Sequence, residues 1–161
     1  MLLFQSLKGI TFLSNKLELN DLWPVIEEVI SSGGEFQFAP YGTSMLPLIR
    51  PGQDSVIFVA PDNLKKTDIV LYRRLDGSFI LHRIMLIQKD NYIMCGDNQR
   101  QLERDIKKEQ ILALVKDVYR DGDPVDTKSK EYQRYIKSRY KQIRKSRLRL
   151  FLSRIKHKFF K

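Results

Sequence analysis

Cysteine is nearly absent from this chain. Cys95 stands alone, which excludes an internal disulfide framework and weakly favours a reducing compartment. Histidine is almost as scarce: His82 and His157 lie far apart, so the clustered donors of a zinc site are missing, and nothing in the pattern calls for a metal or cofactor. Long apolar runs are lacking too. No segment approaches the roughly 20 consecutive apolar residues of a spanning helix. "MLLFQSLKGITFLSNK" at the N-terminus comes nearest to an export signal, but it has no basic start, and Gln5, Ser6, Lys8 and Gly9 interrupt it. The expectation is a folded or loosely attached segment and a protein that does not cross a membrane.

What the chain does have is enough apolar residue content, 42%, for one real core in 161 residues. Its net charge of +10 is unevenly divided. Residues 128–161 hold fourteen Lys or Arg against Glu131 alone, a net +13, which leaves −3 for the rest. That division suggests a near-neutral body carrying a charged attachment device, not a uniformly polyanion-binding domain.

"NDLWPVIEEVISSGG" reads as a helix over about residues 20–33. Asn20 or Asp21 caps it, Pro24 falls in the first turn and Gly33 and Gly34 end it, with Leu22, Ile26, Val29 and Ile30 on one face. Six strand-like runs follow: "EFQFAP", "SVIFVAP", "DIVLYRR", "SFILHRIMLI", "NYIMCGD" and "ILALVKDVY", separated by Pro-Gly, Pro-Asp-Asn, Asp-Gly, Lys-Asp-Asn and Gly-Asp-Asn turns. So little helix between strands predicts a mostly β, antiparallel body with protected edges. From about Thr127 the period becomes helical, with Tyr132, Ile136, Tyr140, Ile143, Leu150, Phe151, Ile155 and Phe159 recurring against Lys and Arg. A helix of about 35 residues would be about 50 Å long, so part of it should project. The chain divides into an N-terminal segment (1–19), a domain that is mostly β after its leading helix (20–126) and a basic amphipathic tail (127–161).

Three stretches carry candidate chemistry. In "YGTSMLPLIRPG" a lone serine, Ser44, is restrained by a glycine and two prolines, which fits either an ordinary turn or a presented hydroxyl. A serine nucleophile needs a base, and His82, in a strand apolar on both faces, is the candidate outside the tail. Buried there, it needs a polar partner, and a core histidine satisfied by a carbonyl is the plainer alternative. In "MCGDNQRQLERD" either Asp97 or Asp105 could accept a bond from the far ring nitrogen.

The order of "GTSMLPLIRPGQDSVIF", "LKKTDIVLYRR", "ILHRIMLI", "YIMCGDNQ" and "ILALVKDVY", over about residues 36–120, resembles the catalytic core of type I signal peptidases and the related self-cleaving repressor proteases. The resemblance implies an antiparallel β core of the signal peptidase type. It also implies that Ser44 is the nucleophile and that His82 is the general base, where bacterial members have lysine and endoplasmic-reticulum-type and archaeal members have histidine. Asp105 then orients His82, in preference to Asp97 as a turn residue. Gly42, Thr43, Met45 and Pro47 fall in the oxyanion and substrate-binding box, with the Ser44 N–H as the main donor. "FQFAP" and "SFILH" become the walls of a groove for an extended peptide. Thr67 replaces a usual glycine and "GQDSV" has one residue more than the family's box, so local turns should differ.

The implied function is a serine endopeptidase that processes a leader, signal or precursor peptide on the cytoplasmic side. The other reading is a catalytically inactive peptide-binding or membrane-scaffolding module. For the tail, packing on the β body competes with peripheral contact to an anionic membrane through residues 128–161. Nucleic acid is the least favoured partner.

Overall fold

The structure is a computed structural model and describes residues 19–89 and 91–143. Helix α1 (Leu19–Ser31) buries Leu22, Trp23, Ile26 and Ile30. Gly33, at φ 84°, accommodates the left-handed turn that ends the helix, and the Gly34 N–H closes it on the Val29 carbonyl at 2.9 Å. The helix starts earlier than its cap residues suggest, so Pro24 is interior. Pro24 cannot donate to Asn20, but both are exposed and water can serve that carbonyl.

Eight strands follow: β1 (Phe36–Phe38), β2 (Ser55–Val59), β3 (Ile69–Arg73), β4 (Phe79–Gln88), β5 (Asn91–Cys95), β6 (Glu103–Lys107), β7 (Ile111–Arg120) and β8 (Asp123–Pro124). All pair antiparallel, in the order β1-β2-β7-β3-β4-β5-β6, with β8 on β7. The mostly β, antiparallel expectation therefore holds, and the six apolar runs are six of the strands. β6 was not foreseen. Its sequence, ERDIK, buries only Ile106, as suits an edge strand.

The sheet is apolar on both faces, and each face has its own core. α1 and the loop carrying Met45, Leu48 and Ile49 pack with Val56, Phe58, Ile69, Leu71, Ala113 and Val118 on one side. Val70, Tyr72, Ile84, Tyr92, Met94, Ile106 and Ile111 form the other. Helix α2, described over residues 130–143, covers a third cluster of Met85, Cys95 and Ile143, and buries Ile136. The first part of the basic tail thus lies against the body. The rest of the tail, like the N-terminal stretch, lies outside the described residues. Among the described residues no helix is long and apolar enough to cross a membrane.

Candidate active site

Ser44 sits in a loop of consecutive turns between β1 and β2. The loop is anchored from below by buried Met45, Leu48 and Ile49, and from the side by Arg120, which donates to the Pro47 and Leu48 carbonyls at 2.7 Å each. The buried Asp54 carboxylate ties its far end by accepting from the Arg50 N–H at 2.8 Å and from the Arg50 guanidinium. Arg50 in turn reaches Asp121 at 2.8 Å. Gly42 adopts φ 104°, a conformation that suits glycine alone at low cost. The restraints read from glycine and proline are therefore joined by a charged network at the end of β7.

His82 lies on β4, 1% exposed, and Val70 and His82 are partners across the β3–β4 ladder. Tyr72, two residues on, meets it diagonally, with its Oη 3.1 Å from His82 Nδ1. Glu103 Oε1 is 3.5 Å from the same nitrogen. Glu103 receives Arg74 Nε at 2.9 Å and also Arg74 Nη2. These contacts fix the tautomer. An ionised carboxylate only accepts, so Glu103 facing Nδ1 favours the proton there, with the Tyr72 oxygen as its acceptor at 3.1 Å. The lone pair is left on Nε2.

Nε2 points toward the serine loop. A Cβ placed on Gly96 would lie 3.0 Å from His82 Nε2 and 2.6 Å from the Ser44 carbonyl oxygen, so one glycine separates the imidazole from the backbone of Ser44. Ser44 and His82 line one cavity of about 520 Å³ with Gly42, Thr43, Met45 and Asn98. Asn98 joins the two halves, donating from its N–H to the Ser44 carbonyl at 2.7 Å and from Nδ2 to the Thr43 carbonyl at 3.2 Å. Pro47 is exposed and does not line the cavity.

The electrostatics follow from this packing. Burial pulls the His82 imidazole down to about 4, with the Glu103 carboxylate only partly offsetting it, so the ring is neutral at pH 7. Burial pushes the Glu103 carboxyl up, but Arg74 and Tyr72 more than offset this and hold it below the usual range. Burial and then Glu103 keep the Tyr72 phenol well above its ordinary value, so it stays a donor.

The carboxylate that lies beside His82 Nδ1 is Glu103 and not Asp105. At the β5–β6 ladder Tyr92 faces Ile106 and Met94 faces Glu103, so two residues, Arg104 and Asp105, stand opposite Ile93 alone. This bulge, with Asp105 at φ 61°, breaks the alternation. It turns Glu103 inward beside Met94 and leaves Asp105 exposed, with Asn91 Nδ2 as its hydrogen-bond partner at 3.4 Å. Asp97 is equally unsuited to orient His82, because its two oxygens are held by Arg83 Nε at 2.9 Å and Nη2 at 2.7 Å in a buried pair. Thr67, where a glycine was expected, takes φ 87° and keeps a glycine-like turn, its N–H bonding the Ile84 carbonyl at 2.9 Å.

Comparison with protein-family models and with curated proteins finds no match to this chain. The site must therefore be read on its own chemistry. It offers a hydroxyl, a neutral ring nitrogen and an acid-supported Nδ1–H. The Ser44 and Met45 N–H groups make no hydrogen bond among the described residues, which leaves two donors beside the hydroxyl. Among the described residues no group of three or more His, Cys, Asp or Glu is arranged to hold a metal ion. Tyr72, Arg74 and Glu103 were not foreseen. A tyrosine two residues from the partner of His82 is a usable signal only once the β3–β4 register is known.

Proposed function

We propose that the chain is a serine endopeptidase of the signal-peptidase-like type, cleaving a leader, signal or precursor peptide through an acyl-enzyme. The observation that carries this is the shared cavity in which His82 presents Nε2 toward the Ser44 loop while Tyr72 and Glu103 occupy Nδ1. Neutral His82 takes the Ser44 proton as the oxygen attacks the peptide carbonyl, and the Ser44 and Met45 N–H groups receive the developing oxyanion. The imidazolium, facing Glu103, returns the proton to the leaving amine. Water then attacks the ester by the same route, regenerating the serine.

An extended substrate has a place to bind. Pairing between β4 and β5 begins at Arg83 and Cys95, so among the described residues Phe79–His82 pair with β3 alone and keep one backbone edge open beside the cavity. A peptide strand added to that edge would run past Ser44. Met45, Ile49, Phe79 and Leu81 line the cavity and offer it apolar contact. The fold of the signal peptidase core, a cytoplasmic location and peripheral contact with an anionic inner membrane face through residues 128–161 belong to the same proposal.

The second reading, an inactive peptide-binding module, rests on one observation: among the described residues the Ser44 hydroxyl makes no hydrogen bond to His82. Catalytic contacts of this kind often tighten only on binding substrate. A serine-reactive phosphonate separates the two readings. Labelling of the wild type but not of Ser44→Ala is expected; equal labelling of both, or of neither, favours the inactive module.

A further inference from the structure

We infer that Arg139 of α2 is a positioning residue for Ser44, which makes the helix a working part of the candidate site. The catalytic consequence rests on the protease reading above, whereas the mechanical link rests on hydrogen bonds alone.

Arg139 is buried. Its Nη2 donates to the Gly96 carbonyl at 3.1 Å and to the Gln99 carbonyl at 2.7 Å, the two carbonyls at the ends of the Gly96–Gln99 turn. The turn is closed by the Gln99 N–H on the Gly96 carbonyl at 3.0 Å. Its opposite side holds the nucleophile loop through Asn98, which bonds the carbonyls of Ser44 at 2.7 Å and Thr43 at 3.2 Å. A single turn therefore acts as a spacer between α2 and Ser44. It has no slack, since even a methyl group on Gly96 would press on both Ser44 and His82.

Stability alone is a poor reason for this arginine. Among the described residues it forms no ion pair, and its Nε is buried without a hydrogen-bond partner. A well-packed apolar side chain would cost less there. What an arginine supplies is a rigid planar guanidinium: Nη1 donates to Gln142 Oε1 at 2.7 Å on the helix itself, and this fixes the direction in which Nη2 holds both carbonyls. The other contacts of α2 with this region act elsewhere: the Tyr132 hydroxyl accepts from Arg83 Nη1 at 3.3 Å, and Arg83 grips the Asp97 side chain. Arg139 addresses the turn's backbone directly.

The test uses the full chain with two readouts, amide exchange at Asn98 and the phosphonate labelling rate of Ser44. In Arg139→Gln the Asn98 amide should exchange about tenfold faster, while the Val56 and Val118 amides in the β2–β7 ladder keep wild-type rates. Labelling should slow by about the same factor, with its pH midpoint unmoved because His82 is untouched. Arg139→Lys, which keeps the charge and donors but on a flexible stem without the planar guanidinium, should fall between the two, and it decides the matter if Arg139→Gln does not fold. An Asn98 amide as protected in the folded variants as in the wild type overturns the inference. Absence of labelling in the wild type would overturn the protease reading instead, and the exchange result would still decide the link.

Discussion

His82 shows how far one residue's state depends on its surroundings. A solvent-exposed imidazole titrates at about 6.5, and the sequence supports that figure for an acid limb of activity. Burial lowers the ring to about 4, which favours the neutral base. The sign follows directly: the proton that disables Nε2 binds only below the lowered value, so labelling of Ser44 should hold level to about pH 5 and fall through a midpoint near 4. Rates measured across that range with a phosphonate check this, and a midpoint near 6.5 would mean the ring is solvated in the working protein. The base is weak at rest, and Glu103 is the group that offsets this as the imidazolium forms. Glu103→Gln should therefore slow labelling by about a hundredfold or more, whereas Asp105→Asn, at an exposed bulge, should stay within about twofold. The reverse pattern would restore Asp105 to the role that the resemblance implies for it. Gly96→Ala belongs to the same scale. Its methyl group would force the Ser44 carbonyl and the imidazole apart, so labelling should be lost in a protein that still melts cooperatively.

At the scale of elements, what was legible is what periodicity controls. Six strands announce themselves by apolar, β-branched runs between turn residues, and α2 by its spacing of Tyr132, Ile136, Tyr140 and Ile143. β6 does not, because an edge strand with one buried residue has no apolar alternation to read. The carboxylate beside His82 was missed because a bulge at Asp105 shifts which side chain faces inward and no local pattern marks it. Ser44 and His82, which line one cavity, could be found in the sequence; the carboxylate beside Nδ1 needed the register of two ladders. Asp97 is the instructive contrast. It was weighed as a turn residue or as the acid, and the structure pairs it with Arg83, with both groups buried and Arg83 also bonding the Thr67 carbonyl at 2.6 Å. Removing one partner of such a pair leaves the other charge buried without compensation, at a cost of about 3–5 kcal/mol. Asp97→Asn should thus lower the melting temperature strongly. Glu103→Gln, near an Arg74 guanidinium that is partly exposed, should lower it far less while abolishing most activity. Chemical denaturation of both variants, set beside their labelling rates, separates a structural carboxylate from a working one.

For the whole molecule the deciding feature is the division of charge. Residues 144–161 carry eight Lys or Arg and no Asp or Glu, and they continue directly from α2, whose Lys137 and Lys141 are exposed. Residues 1–127 are net −3, so the body neither needs nor repels an anionic surface strongly, and orientation on such a surface would be set by residues 128–161. Each cation near an anionic lipid surface contributes about 1 kcal/mol, and salt screens it over a Debye length of about 10 Å at 0.1 M. The full chain should therefore sediment with vesicles containing phosphatidylserine at low salt, detach as salt rises, and ignore vesicles of phosphatidylcholine alone. Replacing Lys156, Lys158 and Lys161 by glutamine should weaken that binding by about a hundredfold, since three lost contacts amount to about 3 kcal/mol. Equal binding to both kinds of vesicle would mean that the apolar face, with Phe151 and Phe159, and not the charge, drives attachment. Binding to an oligonucleotide and to neither vesicle would assign the tail to a different polyanion. Because α2 joins that tail to the turn behind Ser44, the same titration, repeated while following phosphonate labelling, reports whether a surface that holds the tail is felt at the serine.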